Sequence, residues 1–250
     1  MSGHPNRIFI GTAGWSIPKT YSERFPTDGS HLERYAHCLP GVEINSSFYR
    51  PHKPQTYERW ALTVSDDFKF AVKVPKVITH EHRLRDADEF LYRFLGEATT
   101  LGSKLGPLLV QLPPSLRFDA TVVHHFFAAL RKHFDGEVVC EPRHDSWFAP
   151  DAERIFIDFQ VARVAADPAV VPQAGEPGGW GELVYYRLHG SPRIYYSDYS
   201  TEYLDGLMRE LHALADHATV WCIFDNTAEF AATGNALDVL DRLGQQYSET

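Results

Sequence analysis

Eight short runs of apolar, β-branched and aromatic residues recur along the 250-residue chain, at 8–11, 42–45, 68–74, 108–112, 138–141, 161–165, 183–189 and 220–224. Between them lie stretches of helical character at 31–38, 54–62, 87–103, 120–133, 150–159, 201–217 and 228–243. Asp119 stands where an N-cap is wanted, and Pro54 and Pro150 stand where a first-turn proline sacrifices no hydrogen bond. Eight strand-like runs alternating with seven helical stretches are the pattern of parallel βα units. A closed (β/α)8 TIM barrel uses about 250 residues, so one such domain is expected over 1–250. An open doubly wound sheet uses the same local units, but no GxGxxG follows the first run to mark a dinucleotide site. The stretch 175–181 (GEPGGWG) is expected to be an exposed loop.

Composition narrows the classes of partner. No run of 18 apolar residues is present, so a membrane span is not expected. Residues 1–7 lack the apolar segment of a secretory signal. Cys38, Cys140 and Cys222 form no CxxC, and the last two sit in apolar runs, which predicts a reduced, cytoplasmic protein. Lys and Arg number 24 against 33 Asp and Glu, a net charge of −9 without any basic run. Tight nucleic-acid binding is therefore not expected. Nothing in the sequence indicates an oligomeric state.

Barrel enzymes place their chemistry at the C-terminal ends of the strands. Because side chains alternate along a strand, each run assigns residues to an inner and an outer face. The inner set is Glu43 and Asn45, then Lys69 and Lys73, then Gln111, then Val139, Glu141 and Arg143. It continues with Arg163, Ala165 and Asp167, and with Tyr185, Arg187 and His189. In the eighth run either Asp225 or Asn226 reaches the mouth. Burying so many charges costs several kcal/mol each unless they pair or bind something. A purely structural ion network and a ligand pocket are both compatible with this pattern.

Glu43, Glu141, His144, His189 and Asp225 include ligand types for a divalent metal. Lys73, Arg143 and Arg187 interleave with them and would repel a second positive centre, so no cofactor is expected and the metal set is kept as the alternative. Arginine and lysine converging with His189 suit a carboxylate or phosphate instead. The loops at 189–193 and 225–227 carry small or hydroxyl residues able to present backbone N–H groups to an anion. Aromatics near the mouth, Trp15, Phe48, Tyr49, Trp147, Tyr195, Tyr196 and Tyr199, could pack loops or stack on a substrate. No GxSxG is present, and Cys140 faces the helices, which disfavours a Ser or Cys nucleophile.

These residues sit within motifs that resemble the YecE-like family, domain of unknown function 72. The motifs are GTAGW at 11–15, VEINSSFY at 42–49, FAVKVP at 70–75 running on to ITH at 78–80, and LGPLLVQLP at 105–113. EPRHDSW at 141–147, RLHG at 187–190 and FDNT at 224–227 complete them. The resemblance implies a (β/α)8 barrel and carries no activity with it. Asp225 stands where the family commonly has asparagine, Pro142 where it commonly has an aromatic residue, and the usual second tryptophan after Trp15 is missing.

The leading expectation is an enzyme, a hydrolase, lyase or isomerase, doing acid–base chemistry on a small anionic, hydroxylated substrate. Glu141 beside Arg143 should stay ionised, Glu43 among apolar neighbours should hold a proton, and His189 completes the catalytic set. Lys73, Arg143 and Arg187 would hold the anion. Trp15, Asn45, Gln111, Trp147 and Asn226 would contact the rest of the substrate. Two alternatives remain open. One is a divalent-metal phosphodiesterase, endonuclease-like or isomerase-like enzyme; the other is a non-catalytic metabolite-binding module.

Overall fold

A computed structural model describes residues 8–246; the stretch 1–7, expected to carry no secretory signal, lies outside the described residues. The strands are β1 (Ile8–Thr12), β2 (Gly41–Ile44), β3 (Lys69–Lys73), β4 (Leu105–Gln111), β5 (Val138–Glu141), β6 (Val161–Arg163), β7 (Ala165–Asp167), β8 (Gly178–Gly179), β9 (Leu183–Leu188) and β10 (Thr219–Phe224). The α-helices are α1 (His31–Cys38), α2 (Pro54–Thr63), α3 (Asp88–Ala98), α4 (Ala120–Arg131), α5 (Pro150–Asp158), α6 (Thr201–Ala215) and α7 (Ala231–Gln246). Their starts follow local chemistry. Ser30 and Glu33 form a reciprocal capping box on α1. Asp119 and Ser200 accept from Val122 and Tyr203 at α4 and α6. Pro54 and Pro150 occupy first-turn positions. None of the described helices is long and apolar enough to cross a membrane.

Strand pairing gives an α/β, TIM-barrel-like arrangement of two sheets, ordered β1-β10-β9-β7 and β2-β3-β4-β5-β6-β8. Every pair is parallel except β6 with β8. The sheets meet at two seams. At one, Ala13 bridges Glu43 in parallel and Gly14 N–H donates to the Glu43 carbonyl at 2.9 Å. At the other, a single segment pairs with β5 through β6 and with β9 through β7. Between β7 and β9 stands only a short 3-10 turn, Pro172–Gly175, and the small strand β8. Among the described residues that connection holds no α-helix, and none of the seven helical stretches read from the sequence falls there.

An outer core joins helices to the outer strand faces, and an inner core contains Phe9, Ala71, Leu109, Val139, Ala162, Val164, Leu183, Tyr185, Trp221 and Ile223. At its base the Trp221 ring stacks between Phe9 and Tyr185, with centroids 4.7 Å and 6.0 Å away. Gly106 makes this possible. A Cβ there would lie 2.6 Å from Trp221 Cζ2, closer than packing tolerates.

Two expectations fail here. Ala162 and Val164, rather than Arg163 and Ala165, face inward in the sixth strand. Arg163 instead reaches Glu153 of α5 at 3.3 Å and donates to the carbonyls of Gln173 and Glu176. Asp167 likewise accepts from Tyr199 at 2.7 Å. The 175–181 stretch is no free loop either: Gly178 and Gly179 pair with β6, and Trp180 packs on the inner core. Gly179 holds φ +70°, and a Cβ would lie 2.4 Å from the Val161 carbonyl.

Candidate functional site

Successive inward positions on β2, β5 and β9, with the residues just past β9 and β10, bring Glu43, Glu141, Arg187, His189 and Asp225 together. Arg187 is the centre. Its Nε and Nη2 donate to the two oxygens of Glu43 at 2.9 and 2.7 Å, and Nη1 donates to Glu141 Oε2 at 3.1 Å. Nη2 also lies 3.0 Å from Asp225 Oδ2. Tyr185 OH donates to Glu43 at 3.0 Å; burial first and Glu43 second push this phenol well up, so it keeps its proton. Burial opposes the charge on Arg187, but Asp225, Glu43 and Glu141 together hold it well above its usual range.

His189 joins the second layer. Nδ1 lies 3.0 Å from Asp225 Oδ2, and Nε2 lies 2.9 Å from both Glu141 Oε1 and Arg143 Nη2. Arg143 Nε donates to the same Glu141 oxygen at 2.9 Å. Burial alone would raise Glu141, but Arg143, Arg187 and His189 pull it well below the ordinary carboxylate range. Asp225 is lowered against burial by Arg187 and His189 in the same way. Glu141 is therefore ionised, as the sequence suggested. Desolvated charges hold only when each is paired in this manner.

Lys73 differs from all of these. The residue is 6% exposed, and among the described residues its ammonium makes no hydrogen bond or ion pair. Its contact is the Phe48 ring, with the centroid 4.2 Å away. Burial first, then Arg187, lowers its pKa to about 8 against the pull of Glu43, Glu141 and Asp225. His80, in the π-turn Val77–Glu81 after β3, stands 5.0 Å from the same Phe48 ring. Burial, Lys73, Arg143 and Arg83 lower its pKa, which marks the rim as cationic. His80 was not among the candidates; its place at the end of the FAVKVP…ITH motif was the available signal.

A cavity of about 150 Å³ opens beside this cluster. Glu141, Arg143 and His189 form its polar wall, and Pro142, Ala166, Pro168, Val170 and Ile194 contribute apolar surface. Drug-sized pockets span about 300–1,000 Å³, so the space suits a small molecule.

Several expected contacts lie elsewhere. Glu43, expected as the acid, is fully buried, both its oxygens accept from Arg187 or Tyr185, and it does not line the cavity. Arg187, 1% exposed, cannot reach a ligand and serves the floor. Trp147 is in the outer core, its Nε1 donating to the Leu116 carbonyl and its ring stacked on Phe156. Asn226 is turned away from the mouth and donates to Ser197 O and Asn235, while Asp225 takes the inward position. Trp15 packs edge-on against Trp60. Gln111 donates to the Leu112 carbonyl, and Asn45 keeps a buried Oδ1 without a partner. Of the alternative metal set, Glu43, Glu141, His189 and Asp225 converge, but around the Arg187 guanidinium and His189 ring, while His144 turns to Asp145 and Ser146. Among the described residues no group of three His, Cys, Asp or Glu side chains is arranged for a metal. The loop at 189–193 offers fewer donors than expected, since Gly190 N–H goes to Tyr199 OH and Arg193 N–H to Ser197.

Comparison with known proteins agrees with this architecture. The chain is 33% identical over 147 residues to the UPF0759 protein YecE of Escherichia coli K12, and spans 52% of that relative's length. It is 25% identical to the UPF0759 protein YunF of Bacillus subtilis, with 96% of each chain covered. A solved DUF72 family protein of Enterococcus faecalis superposes with a TM-score of 0.78 at 23% identity, over 95% of each chain. The family model "Protein of unknown function DUF72" matches residues 9–250, and the chain therefore belongs to the DUF72 family.

Proposed function

We propose that the two sheets close into one (β/α)8 barrel forming a single domain, and that its mouth binds a small anionic substrate for acid–base chemistry. The two seams, at Ala13–Glu43 and along β6–β7, support the closure. One observation carries the functional reading: Arg143, Glu141 and His189 share the polar wall of one small, otherwise apolar cavity. In this reading Arg143 holds the anionic end of the substrate. His189, oriented through Nδ1 by Asp225, moves a proton at Nε2. Glu141 stabilises positive charge there, and the Glu43–Arg187 pair fixes the floor. Lys73 adds positive potential at the rim. The reaction belongs to the hydrolase, lyase or isomerase classes. A cytoplasmic location accompanies this reading, supported by three free cysteines, two of them buried.

The test is thermal unfolding with phosphate, sulfate and small hydroxy-carboxylates. Ligand at about 100 times its Kd adds about 2.7 kcal/mol, or about 5–11 °C for a domain this size. Saturable stabilisation that disappears in Arg143→Gln is expected. If no anion in the panel moves the wild-type curve, the pocket reading fails and a purely structural network replaces it.

A further inference from the structure

The Lys73 amine stands out among the charges at the mouth because, among the described residues, no acceptor claims it. Every carboxylate around it is already committed: Glu43 to Arg187 and Tyr185, Glu141 to Arg143, Arg187 and His189, and Asp225 to Arg187 and His189. A lysine placed there only for stability would be expected to pair with one of them. Its ammonium instead rests over the Phe48 ring, and its stem is fixed by the short strand β3. The Lys73 carbonyl accepts from Ser47 Oγ at 2.6 Å, which ties that strand end to the turn carrying Phe48. Chemistry of this kind uses a positioned, poorly solvated amine.

We propose that Lys73 is a covalent catalytic residue that forms an imine with an aldehyde or ketone group of the substrate. The proposal deepens the anion-pocket reading by naming a carbonyl compound with an anionic group as the substrate class. The free amine attacks the carbonyl carbon, forming a C–N bond, and the C=O electron pair moves to oxygen. A proton passes from nitrogen to that oxygen to give the carbinolamine. A second proton, from solvent, lets the hydroxyl leave as water while the nitrogen lone pair forms C=N. The sum is amine, carbonyl and one proton giving a protonated imine and one water. The step needs the unprotonated amine. Arg187 from β9 disfavours the ammonium and Arg143 beyond β5 shares its sign, His80 in the adjoining turn is itself held toward its neutral form, and Glu43, Glu141 and Asp225 act the other way. Burial decides the balance, and with a pKa of about 8 roughly a tenth of the amine is free at pH 7, against about one part in 2,500 for an ordinary lysine.

The experiment is reductive trapping of the full chain at pH 7 with glyoxylate and sodium cyanoborohydride, followed by peptide mapping. Glyoxylate is a small aldehyde carrying a carboxylate, and trapping leaves a carboxymethyl group on the reacting nitrogen. Lys73 is expected to be modified at least about ten-fold faster than the exposed Lys53 and Lys132, and Lys73→Arg to remove that adduct. Uncharged glycolaldehyde is a parallel probe that needs no anion site. Modification of Lys73 by either aldehyde ahead of the exposed lysines supports the proposal. Modification no faster than that of Lys53 with both probes overturns it, a result read on the wild-type chain whether or not the variant folds. Phosphate stabilisation with an unreactive Lys73 would sink this inference and leave the anion pocket standing. Reaction at Lys73 without any anion stabilisation would do the reverse.

Discussion

Arg187 and Glu43 lie 144 residues apart in sequence and meet through two parallel hydrogen bonds of 2.9 and 2.7 Å, with neither side chain more than 1% exposed. The guanidinium fork matches the carboxylate, and its remaining edges reach Glu141 and Asp225. One cation thus contacts carboxylates carried by or just past three different strands, and the accessible mouth is built on that floor.

Removing that cation should be severe. Arg187→Met leaves buried carboxylates without a partner, and a loss of about 3–5 kcal/mol is expected. That corresponds to a fall in Tm of about 6–20 °C. The double variant Arg187→Met/Glu43→Leu should recover part of this loss, because it also removes one uncompensated charge. Denaturant melts of both variants check the pair; a double variant weaker than the single would contradict the assignment.

Acid stability should depend on Glu141. Its folded pKa lies well below the ordinary value, so the unfolded chain binds the proton more readily. The contribution is present above the unfolded pKa of about 4.3 and is lost as pH falls toward the folded value. Glu141→Gln should flatten the acid limb of the unfolding free energy measured by denaturant melts below about pH 5, lowering its slope by up to about 1.4 kcal/mol per pH unit. Parallel acid limbs in the two proteins would show that another group titrates there.

The base of the inner core should resist one added methyl. In Gly106→Ala the new Cβ meets Trp221 Cζ2 at 2.6 Å and Cη2 at 2.9 Å, an overpacking that typically destabilises by about 1–3 kcal/mol. Trp221→Phe removes the clashing ring edge, and Trp221 Nε1 makes no hydrogen bond that would be forfeited. A double-mutant cycle should therefore show favourable coupling of about 0.5–3 kcal/mol. Strict additivity would mean that the strain is relieved elsewhere.

Metal content follows from the same floor. With Arg187 between Glu43, Glu141 and Asp225, a divalent ion would have to displace a cation already well paired. Elemental analysis of protein purified without chelator should show far less than one equivalent of zinc, manganese or iron. Near-stoichiometric metal, lost in Glu141→Ala, would restore the metal-dependent alternative.

Local periodicity determined much of this protein in advance. The alternation Tyr185, Arg187, His189 reads directly as an inner face, and the structure places all three there or at the mouth. Helix starts at Asp119, Pro54 and Pro150 were equally legible, because capping and first-turn chemistry act within a few residues. The sixth run failed for a physical reason. Apolar residues occupy both faces of 161–165, so period-two contrast vanishes, and Arg163 turned outward to Glu153 and two loop carbonyls. Trp147 sits in a conspicuous motif, yet its neighbours Phe118, Phe156 and the Leu116 carbonyl come from other segments.

The sequence by itself determined which residues alternate, where most helices begin and that charges accumulate at strand ends. Only the tertiary structure decided which of those charges satisfy one another and which remain available. Glu43 and Arg187, 144 residues apart, pair with each other, whereas Lys73 is left over Phe48 without an acceptor among the described residues. The reason is that side-chain direction is set by the strand's own backbone, but a buried charge is stabilised by whatever partner the opposite strand brings within about 3 Å.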